Sequence, residues 1–234
     1  MKKIIFLILK IIFITNVLLI AICFEYMIIR MSILFLMYSF IFCLILKKWR
    51  DYLVVDIYNT DKKYNIIYAD PPWRYTGWRS GPRSVERHYP TMKVAEIINM
   101  KDTIKSITDE NCVLFLWVTF PCLIEGLKVM KEWGFKYKTC GFTWVKRNKV
   151  ADTWFFGLGA WTRANAELCL IGTKGRIPRV SNKVSQVVDT HIEQHSKKPA
   201  IVRDRIIELV GPLPRIELFA RHTVDGWDCW GNEV

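Results

Sequence analysis

The stretch YNIIYADPPWRYTGW, residues 64–78, decides how this chain is read. Residues 66–69 form an apolar run that reads as a buried strand, and Asp70 sits where that strand would leave a sheet. Pro71 and Pro72 forbid its continuation, because neither carries an N–H and both fix φ. The residue before each proline is also driven out of the α region. The chain therefore becomes a stiff, extended bracket. It presents a carboxylate, a carbonyl that cannot swing away, and the large flat ring of Trp73. Such a bracket suits a flat, polar guest held at the edge of a sheet.

The surrounding pattern supports an α/β layer fold. Residues 112–118, CVLFLWV, read as a strand covered on both faces. Thr91 is expected to cap a short helix through Asn99, with Glu96 inside it. Pro121 suits the first position of a helix running to Trp133, which Gly134 ends. Residues 136–146 read as a strand with Phe142 and Trp144 on one face. Residues 147–163 form a Gly/Trp-rich loop. Residues 167–172, ELCLIG, are a further buried strand, and 176–184 a basic loop. Pro199 opens the helix PAIVRDRIIELV, which Gly211 ends, and residues 215–220, RIELFA, are the last clear strand. Neither G-x-G-x-x-G nor G-x-x-x-x-G-K-[ST] occurs, so the dinucleotide fingerprint and the P-loop have no support.

Charge separates the chain into two parts. Residues 1–50 hold seven Lys/Arg against Glu25 alone, and residues 51–234 hold 27 against 21 acids, so each part contributes +6 to the net +12. A moderately basic globular part suits a polyanionic partner such as nucleic acid. Of ten tryptophans, all but Trp49 lie from Trp73 onward, in the part that would carry a flat ligand. The seven cysteines show no C-x-x-C pair and no metal-ligand spacing with the four histidines, and read as reduced core residues of an intracellular protein. No metal site is expected.

Residues 1–50 are a separate apolar segment. Residues 4–24 and 31–46 could form a membrane hairpin, with Lys2, Lys3, Lys47 and Lys48 on the cytoplasmic side, although the second run is short for a span. Any membrane contact would involve residues 1–48 only. The competing reading is an extension outside the working protein, translated from too far upstream in an AT-rich frame, with Met27, Met31 or Met37 as the start. A signal peptide is disfavoured by the lack of a small-x-small cleavage site. The domain division expected is 1–50 and 51–234.

If the guest is an adenine, Asp70 can accept one hydrogen of the exocyclic N6 amine and the Pro71 carbonyl the other. Both bonds strengthen as positive charge builds on nitrogen, which favours the transition state. Trp73 can stack on the base, unless it is simply core. A target in a duplex would have to be flipped out. Arg74, Arg79, Arg83 and Arg87 in the loop after Trp73, and Arg176, Arg179 and Lys183 in the basic loop, are candidates for phosphate contact. The bland alternative is a solvated rim.

The DPPW tetrad, residues 70–73, resembles the catalytic signature of the MT-A70 family of N6-adenine methyltransferases, especially its bacterial and phage members. Its companions follow in the family's order: HYPTM (88–92), LFLWVT (114–119), WGFKYKTCGFTWVKRN (133–148), GLGAWTRANAELCLIG (157–172), HSKKP (195–199), RIELFAR (215–221) and GWDCWGNE (226–233). The resemblance covers residue 64 to the C-terminus and leaves out the first fifty. It implies a Rossmann-like methyltransferase fold of permuted (β-class) order, with a mostly parallel sheet flanked by helices and the apolar N-terminal helical segment as an extra. It implies S-adenosyl-L-methionine as cofactor and methyl transfer to adenine N6, with DNA favoured over RNA.

By resemblance, Tyr89, Trp144 and Lys146 line the base pocket; sheet packing for Trp144 and a solvated strand end for Lys146 stay open. Asn65, Ile66 (through its backbone), Asp70, Lys198, Arg221, His222, Asn232 and Glu233 are the implied cofactor residues, with Lys198 at the cofactor carboxylate. A salt bridge is the alternative for Arg221. Glu167 is expected to brace a loop, and His195 to cap a helix or brace a loop. The enzyme is expected in the cytoplasm, or anchored with its catalytic domain there if residues 1–48 are genuine. A catalytically silent nucleic-acid-binding homologue or partner subunit is the rival from another class, and the intact tetrad weighs against it.

Overall fold

The computed structural model describes residues 14–16, 18, 24, 30–32, 34–44, 53–75, 90–159, 161–194 and 196–234. The chain divides into two compact units, Met1–Tyr52 and Leu53–Val234. In the first unit the described residues are helical and exposed, Phe35, Phe40 and Phe42 among them. No helix among the described residues is long and apolar enough to cross a membrane. Much of the expected hairpin, including most of residues 4–24, lies outside the described residues.

The second unit is built on one seven-stranded sheet of order β5-β3-β4-β2-β1-β6-β7. In chain order the elements are β1 (Tyr64–Ala69), α1 (Val94–Asn99), α2 (Lys101–Ile107), β2 (Thr108–Val118), a 3-10 turn (Phe120–Cys122), α3 (Leu123–Glu132), β3 (Lys136–Arg147), β4 (Ala166–Lys174), β5 (Val187–His191), α4 (Ile201–Val210), β6 (Arg215–Leu218) and β7 (Asp228–Trp230). β1 is parallel to both β2 and β6, β6 to β7 and β3 to β5, whereas β4 is antiparallel to β2 and β3. The sheet is mixed and mostly parallel, as the α/β reading requires.

The continuous apolar strands are continuous because helices cover both faces. On one face Ile67 and Ala69 of β1 join Leu114 and Leu116 of β2 beneath Ile97, Ile104, Met130 and Trp133 from α1, α2 and the α3 region. On the other, Ile66 and Tyr68 join Phe115 and Trp117 beneath Val202, Ile206 and Val210 of α4. Phe142 and Trp144 share that second face, as their spacing in β3 predicts. Trp133 is fully buried and its Nε1 donates to the Ile97 carbonyl at 2.9 Å, locking α3 to α1. Gly134 follows at φ +91°, a conformation that ends the helix without a Cβ penalty.

Several local expectations change. Thr91 is not the cap of α1: the helix starts at Val94, and Glu96 takes the Lys93 N–H at 2.6 Å. The carboxylate three residues after Lys93 accepts the N–H of that flanking residue. α2, β5 and β7 add to the elements read from sequence. Cys112, Cys122, Cys169 and Cys229 are free thiols buried in the core.

A buried ion pair joins α4 to β6. Arg203 Nε and Nη2 donate to Glu217 Oε2 and Oε1 at 2.6 and 2.8 Å, with the two residues 5% and 8% exposed. Arg203→Met alone strands a buried carboxylate and should cost about 3 kcal/mol, whereas Arg203→Met with Glu217→Leu should recover most of it. Urea denaturation of the single and double variants measures both; equal losses would show that the pair is not coupled.

Candidate active site

The parallel strands β1, β2, β6 and β7 leave their C-terminal ends on one edge, and β1 has its sequence neighbour β2 on one side and the distant β6 on the other. In open α/β sheets a ligand crevice forms at such a switch point. Asp70 stands there. Beyond it the bracket is pinned from several directions. The Trp73 N–H closes a tight turn on the Pro71 carbonyl at 2.8 Å. The Pro72 carbonyl accepts the Met92 N–H at 2.8 Å, and the Arg74 N–H reaches the Met92 carbonyl at 3.1 Å. Trp73 is 4% exposed, a core ring whose Nε1 donates to the Trp117 carbonyl at 2.9 Å and whose remaining surface forms part of a cavity wall.

The cavity has a volume of about 900 Å³, at the upper end of the range for small-molecule sites. Asp70, Pro71, Trp117, Trp144, Glu167 and Lys198 line one side; Tyr58, Phe219, Arg221, Trp230, Asn232 and Glu233 line the other.

The first side carries a chain of alternating charge. Asp70 Oδ2 lies 2.7 Å from Lys198 Nζ, Lys198 Nζ lies 3.3 Å from Glu167 Oε2, and Glu167 Oε1 lies 2.5 Å from Lys146 Nζ. Lys198 also sits 5.4 Å from the Trp117 ring centroid and Lys146 4.8 Å from that of Trp144. Burial pushes the Asp70 carboxyl above its ordinary value, and Lys198 offsets only part of that rise. Burial also acts to raise Glu167, but Lys198 and Lys146 together outweigh it and hold that carboxyl below the usual range. Lys198 is held protonated, because Asp70 and Glu167 outweigh the burial that would lower it.

A second shelf of contacts fixes these groups from beneath. Trp117 Nε1 donates to the Tyr68 hydroxyl at 2.7 Å, and the Arg203 guanidinium lies 5.7 Å from the Tyr68 ring centroid. Trp117 and Trp144 meet edge to face with centroids 6.4 Å apart. Trp144 is 3% exposed, and its buried Nε1 has no hydrogen-bond partner among the described residues.

The other side is aromatic with a polar rim. Trp230 takes edge contacts from Phe219 at 5.4 Å and Tyr58 at 5.9 Å. Arg221 Nε donates to both carboxylate oxygens of Glu233, at 2.9 and 3.0 Å, so the salt bridge left open for Arg221 is realised. A Cβ on Gly231 would stand 2.2 Å from the Ala220 carbonyl oxygen, so only glycine lets the end of β7 close on β6. Phe219 and Ser196 both line the cavity and both have left-handed backbones, φ 60° and 61°. Strained non-glycine residues of this kind cluster at ligand sites.

Some expected residues are not brought to this cavity. Asn65 and Ile66 lie at the start of β1, and strand geometry puts Asn65 roughly 16 Å from Asp70. The Ile66 N–H is taken by the Pro214 carbonyl at 3.1 Å, and Asn65 Nδ2 by the Asn111 carbonyl at 2.8 Å, so neither is disposed to touch a cofactor held here. Arg176 is at the same far end: its N–H is bound by Asn111 Oδ1 at 2.7 Å, and β4 runs antiparallel to β2, away from Asp70. Arg179 adjoins Val180, whose N–H meets Leu209 near the distal end of α4. Lys183 precedes β5, whose continuation at Ile192, Glu193 and Gln194 is what reaches the cavity.

His222 is exposed beside Arg221 and does not line the cavity; partial burial and Arg203 hold its imidazole below the ordinary value. Arg74 is exposed next to the bracket. Tyr89, Arg79, Arg83, Arg87 and His195 lie outside the described residues. Glu167 stands in β4 and joins two lysines, one of them Lys198 in the loop before α4, so it does hold a loop and lines the cavity as well. Its signal was a carboxylate at the head of an otherwise apolar strand. Trp117 and Tyr58 were also missed, the first because it sits inside an apolar run, the second because the segment before β1 has no periodicity.

The MT-A70 family profile matches residues 64–233. The type II methyltransferase M.MunI of Mycoplasma sp is 36% identical over 192 residues, 74% of this chain and 78% of that protein. The N(6)-adenosine-methyltransferase catalytic subunit METTL3 of Homo sapiens is 29% identical over 176 residues, 74% of this chain and 28% of that protein. A putative N(6)-adenosine-methyltransferase MT-A70-like protein of Medicago truncatula is 30% identical over 177 residues, 74% and 26% respectively. The chain thus spans little more than a quarter of the length of the last two relatives.

Lys198→Met should leave two neighbouring carboxylates without their shared cation, at a cost of about 3 kcal/mol near pH 8. Loss of the cation raises both folded-state carboxyl pKa values. A raised carboxyl pKa penalises the fold above it and ceases to do so as pH falls through it, so the deficit should narrow toward pH 5. Urea unfolding of the variant and the unaltered protein at both pH values checks this; a deficit independent of pH would contradict it.

Proposed function

The chain belongs to the MT-A70 family, and from that premise we propose that it transfers a methyl group from S-adenosylmethionine to the N6 amine of adenine in nucleic acid, DNA in preference to RNA. The observation that carries this reading is the Asp70–Pro71–Pro72–Trp73 bracket fixed at the C-terminal edge of the sheet, with its carboxylate facing a two-sided cavity. The catalytic unit works in the cytoplasm on this reading, where the polymer and the methyl donor meet.

The residues present fit the cofactor. Tyr58, Phe219 and Trp230 offer aromatic surface for its adenine, Asn232 and Glu233 offer acceptors for ribose hydroxyls, and Arg221 offers a cation for its carboxylate. Lys198 positions Asp70 in this scheme, and the third N–H of its ammonium is left for the cofactor carboxylate. When bound, S-adenosylmethionine supplies a methyl group activated by a sulfonium.

The protein's own part is to bind, orient and take charge. Asp70 engages Lys198 through Oδ2, which leaves Oδ1 to accept one N6 hydrogen. The Pro71 carbonyl accepts the Trp73 N–H and retains a second lone pair for the other. Both acceptors gain strength as the amine nitrogen becomes positive, and neither has to reorganise to do so. The surplus proton passes to Asp70, whose burial-raised carboxyl is suited to receive it, or to water. Trp144 and Lys146 are assigned to the base side of the cavity.

DNA is preferred because the match to a type II methyltransferase extends over 78% of that protein, while the N(6)-adenosine-methyltransferases match over little more than a quarter of theirs. RNA is the alternative polymer for the same chemistry.

Incubation of purified protein with labelled S-adenosylmethionine and separate DNA and RNA pools, followed by nucleoside analysis, should put label on adenine N6, more in DNA. Asp70→Ala should lower transfer by at least ~100-fold while donor binding by calorimetry largely survives. Absence of labelled adenine in both pools, with donor bound, would sink the assignment. The reaction needs the Asp70 carboxylate, so the rate should rise with pH through its raised pKa; Lys198→Met should move that rise to higher pH. A profile that stays put would remove Lys198 from the positioning role.

A further inference from the structure

Residues 148–165, which join β3 to β4, contribute Phe155 to the cavity and otherwise play no part in the chemistry above. They carry three exposed aromatic rings close together in sequence: Trp161 is 100% exposed, Phe156 61% and Trp154 43%. Rings left in water at this density do not serve the core and mark a contact surface. We propose that this connection is a stacking platform for unpaired bases flanking the target adenine, with Phe156 and Trp161 taking base faces and Lys149 and Arg163 taking phosphates. The inference rests on the methyl-transfer reading for its context, and goes beyond it in naming where the rest of the strand lies.

The segment is shaped and anchored. Arg147 bridges antiparallel to Trp154 and Gly157 to Ala164, and Asn148 Nδ2 donates to Thr153 Oγ1 at 2.8 Å and to the Trp154 carbonyl at 3.1 Å. Alternation along this hairpin turns Phe155 into the cavity and its neighbours Trp154 and Phe156 outward. Its two roots, Lys146 and Glu167, also line the cavity. The aromatic surface therefore starts at the wall of the base site and runs from there into solvent.

Charge identifies the occupant. Between residues 146 and 165 there are four Lys/Arg and one acid, Asp152. That acid is held by Arg147 at 2.5 Å, and the same guanidinium lies 4.6 Å from the Trp154 ring centroid. Lys149 and Arg163 are exposed. Aromatic rings interleaved with cations and continuous with a base pocket match the requirements of a single strand, which needs π-faces for bases and positive charge for its backbone. A protein interface would instead be depleted of lysine at its centre.

The test uses a fluorescein-labelled oligothymidylate of about 12 nucleotides, within the footprint of a single-strand site and free of adenine. Anisotropy should show Phe156→Ala/Trp161→Ala binding it about tenfold more weakly with an unchanged salt slope, and Lys149→Ala/Arg163→Ala binding it with a shallower slope. Trp161→Phe, which keeps a ring, should recover most of the loss. In methyl transfer to an adenine-containing single strand, KM should rise about tenfold in the aromatic variant while kcat holds. Melting temperatures equal to that of the unaltered protein exclude misfolding as the cause. Unchanged oligothymidylate affinity in both variants overturns the proposal, as does a change in sedimentation with affinity intact, which would make this a protein–protein surface. If no polymer is methylated at all, oligothymidylate binding still reads the platform, so its failure and that of the enzymatic reading are separable.

Discussion

The contact of Lys198 Nζ with Asp70 Oδ2 joins residues 128 positions apart, and the active edge is arranged around it. A carboxylate at the end of a buried strand is costly to desolvate, and a cation within bonding distance is what makes it tolerable. That cation is itself taken out of water and needs more than one counter-charge, which Glu167 supplies; Glu167 in turn draws in Lys146. The outcome is a neutral string of four charges that crosses from β1 to the lead-in of α4, then to β4 and β3. Each member sets the position of the next, so the carboxylate that faces the guest is oriented by groups drawn from across half the sheet.

Packing beneath the string does the same work with uncharged groups. Trp117 offers its ring to Lys198, its carbonyl to Trp73 and its Nε1 to Tyr68, three constraints on one residue. Tyr68 meets Arg203 across its ring, and Arg203 is locked to Glu217. A site supported in this way holds its geometry because the supporting side chains are buried and tied by hydrogen bonds. The bracket after β1 completes the arrangement, since its carbonyls are occupied on one lone pair by Trp73 and Met92.

Much of this was legible from local chemistry. Two prolines after an apolar run end a strand wherever they occur, and alternation in β3 placed Phe142 and Trp144 on one face. What could not be read locally is which end of the sheet a residue occupies. Asn65 and Asp70 are five positions apart and belong to opposite edges, because a strand spends ~3.3 Å on each residue. Arg176 and Glu167 are separated in the same way by the antiparallel run of β4. The role of Glu167, and the engagement of Lys198 by Asp70, depend on long-range pairing that no spacing encodes. β5 and β7 are short and partly polar, so neither produces a periodic signal.

Gly231 sets a dimension. With the Ala220 oxygen 2.2 Å from where a side chain would begin, the chain bearing Asn232 and Glu233 is clamped at a fixed height above the neck of β6. The rim that opposes the charged string is therefore gauged by main-chain atoms, which substitution does not alter. A different side chain on that lining would retune the compartment's polarity without resizing it, whereas a Cβ at Gly231 would reset the bore by pushing the last strand away.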